Sequence, residues 1–126
     1  MRGATLDAGA LIAFERGDSR MLALLDRVSH DPESKIVIPA GVLAQVWRNG
    51  SRQARLSRLI TSRQSIVNDL DEEQAKAVGI LLGVSGTADA IDASVVICAL
   101  QHSQVVITSD PEDLRVLAPR LAVQAI

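Results

Sequence analysis

Tyrosine is absent from this 126-residue chain, and one Trp and one Phe bring its aromatic content to only 2%. A core must therefore be built from Val, Ile, Leu and Ala, and an apolar share of 48% supplies enough of them to exclude a disordered chain. The single Cys excludes an intramolecular disulfide framework and a multi-cysteine zinc site, and it suits a reducing cytoplasm. No apolar run approaches the roughly 18 residues of a membrane span, and no basic segment leads into a signal-type core. No G-x-G-x-x-G follows the first apolar strand, which removes a dinucleotide-binding enzyme. The length fits one domain spanning 1–126.

Whole-chain charge is only −2, but its distribution is polarised. Residues 1–33 carry −2. Residues 34–68 hold Lys35, Arg48, Arg52, Arg55, Arg58 and Arg63 with no acid at all. Residues 69–113 hold nine acids against Lys76 alone, and Arg115 and Arg120 follow. A basic middle beside an acidic second half fits a site that holds a polyanion near a bound cation; two solvated helix faces of opposite sign fit as well.

The hydrophobic pattern alternates strands with helices. Ala4–Asp7 reads as a short buried strand and Ala8–Glu15 as a helix. Ser19–Ser29 is helical, Ile36–Pro39 is a second strand, and 40–48 and 51–63 are helices split by Asn49-Gly50. Ser65–Val67 is a weaker third strand. Asp71 opens a helix that stops near Gly83, and Ala88–His102 is another. Val105–Thr108 is a β-branched strand, Pro111–Leu117 a short helix and Leu121–Ile126 a last strand. This order predicts an α/β layer fold whose mostly parallel sheet is covered on both faces, with ligands beyond the carboxyl ends of the strands.

Three carboxylates sit where apolar residues would be expected. Between Gly3 and Phe14 the only polar side chains are Thr5 and Asp7, and between Ala90 and Leu100 only Asp92 and Ser94. Asp110 follows the last β-branched strand by two residues. Asp89 precedes Asp92 by three residues and shares its helix face. Three carboxylates about 5 Å apart would repel by roughly 3 kcal/mol per pair at an effective dielectric near 20. No Lys or Arg neighbours them in sequence, so protons or a hard divalent cation must neutralise them; Mg²⁺ or Mn²⁺ suits an all-oxygen shell. Each acid also has a structural role open to it. Asp7 and Asp110 suit helix N-caps, the latter before Pro111, and Asp89 and Asp92 suit a helix dipole. Thr108 and Ser109 are candidate hydroxyl partners for an acid or a substrate phosphate, or ordinary strand and cap chemistry.

Four segments in order resemble the PIN-domain family, the fold of the ribonuclease toxins of VapBC-type toxin–antitoxin pairs. They are T-L-D-A-G-A-L-I-A at 5–13, I-P-A-G-V-L-A-Q-V-W-R at 38–48, D-A-S-V-V-I-C-A-L at 92–100 and V-I-T-S-D at 106–110. The resemblance covers essentially the whole chain. It implies a three-layer α/β/α domain whose acids bind Mg²⁺ or Mn²⁺ and cleave RNA. By that likeness Asp7 is the acid after the first strand, Asp92 the acid opening the long helix with Asp89 beside it, and Asp110 the end of the T-x-D motif begun by Thr108. Asp113, one turn later, is either within reach of the site or a solvated surface acid. One departure stands out: the family places a Glu in the helix after the second strand, where this chain has Gln45. A Gln offers a neutral oxygen but no charge and no base, which shifts the load onto Asp89 or marks a chain that has lost catalysis.

The implied chemistry is metal-assisted phosphodiester hydrolysis in the cytoplasm. Arg48, Arg52 and Arg55 follow i, i+4, i+7 spacing and would contact the RNA backbone, although a break at Asn49-Gly50 makes Arg52, Arg55 and Arg63 the safer group. A solvated helix face or an antitoxin-binding surface would use the same arginines. Trp47 is read as a core or dimer-interface residue ahead of a base-stacking one. Family membership further implies a homodimer and a small antitoxin occupying the acidic groove. The rivals are a catalytically silent PIN-fold binding module, which Gln45 supports, and a receiver-like domain. The latter lacks the acidic pair and the Lys it needs.

Overall fold

The computed structural model describes residues 3–126. Five strands form its sheet: β1 (Gly3–Leu6), β2 (Lys35–Pro39), β3 (Ser65–Asn68), β4 (Val105–Thr108) and β5 (Val123–Ala125). Their order is β3-β2-β1-β4-β5, and every neighbouring pair is parallel. β1 is central and buried throughout, as expected of a strand covered on both faces.

Seven helices connect them: α1 (Ala8–Glu15), α2 (Ser19–Ser29), α3 (Ala40–Val46), α4 (Ala54–Thr61), α5 (Glu72–Ser85), α6 (Ala90–His102) and α7 (Pro111–Leu117). The chain steps from β1 to β2 to β3 in one direction and returns from β3 to β4 to β5 in the other. Right-handed crossovers therefore put α1, α2 and α4 on one face and α5, α6 and α7 on the other, a three-layer α/β/α arrangement. The mostly aliphatic α6 packs on β1, β2 and β4 with Ala93, Val95, Val96 and Ala99 buried. No single helix among the described residues is long and apolar enough to cross a membrane.

Element boundaries depart from expectation at four places, each for a local reason. Helix α3 ends at Val46, and a single 3-10 turn at Gly50–Arg52 precedes α4, so the 40–48 and 51–63 helices are shorter than read. Gln53 Oε1 accepts the N–H groups of Arg48 (2.8 Å) and Asn49 (3.0 Å), which stabilises a turn there in place of helix. Helix α5 runs through Gly83 to Ser85, because the left-handed residue that ends it is Gly86 (φ +70°), whose N–H bonds Leu82 O at 3.0 Å. Helix α6 starts at Ala90, because Asp89 caps it by accepting Asp92 N–H at 2.9 Å. The last strand is only Val123–Ala125, since Leu121 is held in a turn to Ala118 O.

The sheet order places a topological switch point between β1 and β4, where connections leave in opposite directions. The crevice beyond their carboxyl ends is the expected ligand position. Asp7 follows β1 directly, and Asp110 lies two residues past β4.

Candidate active site

Asp7 is only 8% exposed and has both carboxylate oxygens engaged. Oδ1 accepts Ala10 N–H at 2.9 Å and so caps α1, while Oδ2 accepts the hydroxyl of Thr108. Thr108 is fully buried, and its Oγ1 in turn accepts Asp110 N–H at 2.8 Å. One hydroxyl thus ties the end of β1 to the end of β4 and sets where Asp110 begins. It faces the two acids, not the open crevice. Burial holds the Asp7 carboxyl above its usual range, offset in part by the bonds from Thr108, Ala10 and Gly9.

Asp92, in the first turn of α6, is half-buried. Burial first, and then the charges of Asp89, Asp113, Asp7 and Asp110, push it up to about 6. Asp110 occupies the N-cap position of α7, yet its side chain makes no capping bond. The Asp110 carboxyl raises the pKa of the exposed Asp113 beside it, and the charge of Asp113 in turn raises Asp92. Asp113 therefore does reach the acidic group.

A cavity of about 150 Å³ lies among these residues, lined by Asp7, Gly9, Gln45, Asp92, Ser109 and Asp110. The wall formed by Asp92 separates it from a second cavity of about 240 Å³ lined by Asp89, Asp92, Asp113 and Thr87. The acids are thus shared between two adjoining spaces: Asp7 and Asp110 border the first, Asp89 and Asp113 the second, Asp92 both. Gly9 is required here by close approach, since a Cβ would come within 1.9 Å of Ser109 Oγ. Among the described residues the ion pairs Lys76–Glu72 and Arg115–Glu112 involve none of the five acids, and no described Lys or Arg pairs with any of them.

The donor chemistry fits a hard divalent cation: anionic oxygens from Asp7, Asp92 and Asp110, neutral ones from Gln45 and Ser109, and no soft ligand. As the side chains stand, no three carboxylate, imidazole or thiol groups among the described residues form a closed ligand shell. The two observations are compatible. Both Asp7 oxygens are turned to Thr108 and Ala10, so the acids border one space without converging on a point.

The PIN-domain family model matches residues 4–118. The chain belongs to the PIN family. No curated protein matches it. The fold is shared with VapBC2 from Rickettsia felis, solved bound to a DNA fragment from its promoter. That likeness has a TM-score of 0.73 at 15% identity and covers 98% of each chain. FitAB bound to an IR36 DNA fragment gives 0.64 at 18% identity, over 97% of this chain and 94% of that one. FitAcB from Neisseria gonorrhoeae gives 0.60 at 20% identity, over 95% of each.

In this PIN domain the predicted arginines separate. Arg48 lies past the end of α3, and its guanidinium folds back onto the carbonyls of Trp47 (2.7 Å) and Ala44 (3.3 Å). Arg52 closes the 3-10 turn. Arg55, in α4, is half-buried and donates to Glu15 O at 3.1 Å, pinning α4 to the end of α1. Arg48 and Arg52 border a cavity of about 480 Å³ together with Arg16, Glu15, Gln45 and Gln53. Arg63 is exposed and borders neither this cavity nor the acids. Gln45 is common to this basic cavity and to the first acidic one.

Sequence reasoning missed Gly9, Arg16 and Gln53. Trp47, 38% exposed, lines a separate apolar groove with Leu43 and Ile60. Cys98 is buried, accepts hydrogen bonds from Asn68 and Gln74, and is pushed by burial up to about 11, far from a nucleophile.

Proposed function

We propose that this PIN domain is an endoribonuclease dependent on Mg²⁺ or Mn²⁺, and the toxin of a toxin–antitoxin pair. The observation that carries the reading is the set of carboxylates without a cationic partner bordering one cavity at the switch point, with Asp92 raised to about 6 by burial and then by the neighbouring acids. Asp7, Asp92 and Asp110 would hold the ion, with Gln45 and Ser109 as neutral oxygens beside it. When bound, such an ion supplies charge neutralisation at phosphoryl oxygens and an acidified water.

The chain's own residues do the rest. Thr108 fixes the Asp7 carboxylate and the Asp110 backbone relative to each other, so the two strand ends present their charges in register. The Asp92 carboxylate is predominantly ionised at neutral pH, as a carboxylate that is to hold a cation must be. Asp89 commits one oxygen to Asp92 N–H and acts on Asp92 chiefly through its charge. Thr108 therefore serves as a positioning residue and not as a phosphate ligand, and the substrate hydroxyl contact falls to Ser109. Arg48 and Arg52 would contact the RNA backbone, while Arg55, committed to Glu15 O, would not.

A small antitoxin and self-association as a homodimer complete the proposal; VapBC2, FitAB and FitAcB, which share the fold, support it by analogy only. A second reading, a silent PIN module that binds RNA or antitoxin without cutting, is favoured by Gln45 in place of Glu and by the open arrangement of the acids.

Incubation of structured RNA with the protein and Mn²⁺ separates the two, beside EDTA and Asp92→Asn controls. Metal-dependent cleavage lost in Asp92→Asn supports the nuclease. Binding without cleavage supports the silent module, and equal cleavage by Asp92→Asn rejects this site.

A further inference from the structure

Beyond the acids, the strongest concentration of positive charge without an anionic partner is the 480 Å³ cavity across Gln45, although Arg48 also donates to two backbone carbonyls there. It receives Arg16 from the end of α1, Arg48 from the loop after α3 and Arg52 from the 3-10 turn. Among the described residues no carboxylate is ion-paired with any of the three. The one acid on the lining, Glu15, has Oε2 occupied by Gln53 Nε2 at 3.0 Å.

The platform is rigid because Gln53 is saturated. It is 7% exposed and uses both ends of its amide. Oε1 accepts the N–H groups of Arg48 (2.8 Å) and Asn49 (3.0 Å), and Nε2 donates to Glu15 Oε2 and to Val46 O (3.0 Å). Asn49 Oδ1 adds Ser51 N–H at 3.1 Å and the Ser51 hydroxyl at 2.8 Å. A short arginine-bearing turn is thereby locked to both α3 and α1 before any ligand arrives, which lowers the ordering cost of binding.

We propose that Arg16, Arg48 and Arg52 form a second phosphate subsite, positioned by Gln53, that binds the RNA phosphate next to the one at the acids. This rests on the nuclease reading and adds a substrate requirement: the site engages at least two consecutive phosphates, one on each side of Gln45. RNA is favoured over an acidic peptide because a polynucleotide carries a phosphate on every residue and so can place one at the arginines and the next beside the cation that the nuclease reading puts at the acids, across Gln45.

The test is fluorescence anisotropy of a fluorescein-labelled 12-nucleotide single-stranded RNA on the full chain, in EDTA, from 50 to 200 mM KCl. Cleavage of the same RNA is followed separately with Mn²⁺. Arg16→Gln and Arg52→Gln are each expected to flatten the slope of log K against log salt, and the double variant by about 0.7, the one phosphate the subsite holds. Arg58→Gln, on exposed surface outside the cavity, should leave the slope unchanged.

Gln53→Ala should flatten the slope as well, whereas a purely structural glutamine would lower the melting temperature and leave the slope intact. Wild-type cleavage with slopes unmoved by Arg16→Gln and Arg52→Gln would overturn the subsite and leave the nuclease standing. Tight binding of a glutamate-rich peptide with no RNA binding would overturn the subsite in favour of a protein partner. Absence of both RNA binding and cleavage in the wild type would overturn subsite and nuclease together.

Discussion

Replacing Asp92 by Asn should stabilise the metal-free protein while abolishing cleavage. The folded pKa of Asp92 is about 6 against an ordinary value of 3.8. A rise of that size corresponds to roughly 3 kcal/mol of differential interaction between its two protonation states. The side chain is only half-buried, and solvent screening reduces this to about 1–2 kcal/mol. The sign follows from linkage: a carboxyl that binds its proton more tightly folded than unfolded stabilises the fold below about pH 4, and that stabilisation is lost as pH rises through 6. At pH 7 the wild type therefore carries the full burden of the charge, and Asn removes it.

For a chain of this size the gain is about 3–8 °C in melting temperature. Thermal unfolding followed by circular dichroism in EDTA reads it directly. At pH 7 Asp92→Asn should melt higher than wild type, and at pH 4 the two should converge. A variant that melts lower at pH 7, or a difference independent of pH, would refute the argument that Asp92 is held ionised against its surroundings.

Thr108→Val should cost roughly 2–3 kcal/mol, because a buried Asp7 oxygen and the Asp110 N–H both lose their partner, and a urea melt checks it. Gly9→Ala should force Ser109 aside and lower cleavage with little loss of secondary structure, visible as reduced kcat beside an unchanged far-UV spectrum. Gln45→Glu adds a fourth carboxylate to the 150 Å³ cavity. It should tighten Mn²⁺ binding by about tenfold or more in calorimetry and lower the melting temperature in EDTA.

Much of this arrangement was legible in the sequence because single acids interrupt otherwise apolar segments. Asp7 and Asp92 are visible on that ground alone, and Asp110 is visible from its place after a β-branched strand. The parallel sheet follows from alternation of strand and helix, and the switch point between β1 and β4 from the direction of the crossovers. What the sequence hid depends on long-range contacts. Nothing local marks Gln53 as a glutamine bonded to residues 15, 46, 48 and 49, or Arg16 as a neighbour of Arg52.

Spacing also misled. The break at Asn49-Gly50 is where the sequence put it, but the grouping of Arg52 with Arg55 and Arg63 fails, since Arg55 donates to Glu15 O and Arg63 borders neither cavity. Gly83 reads as a helix end because glycine there is unfavourable, yet the left-handed stop that α5 needs is three residues later. Asp110 fits an N-cap by position, but its side chain makes no capping bond and lines the acidic cavity.

Calorimetric titration of Mn²⁺ into the metal-free chain at pH 6, with Asp92→Asn beside it, tests the cation site most directly. The expected result is saturable binding by the wild type with net proton release, since Asp92 is close to half-protonated there, and marked loss of binding in the variant. No saturable heat with the wild type, or equal binding by Asp92→Asn, would contradict the claim that these carboxylates exist to hold a divalent ion.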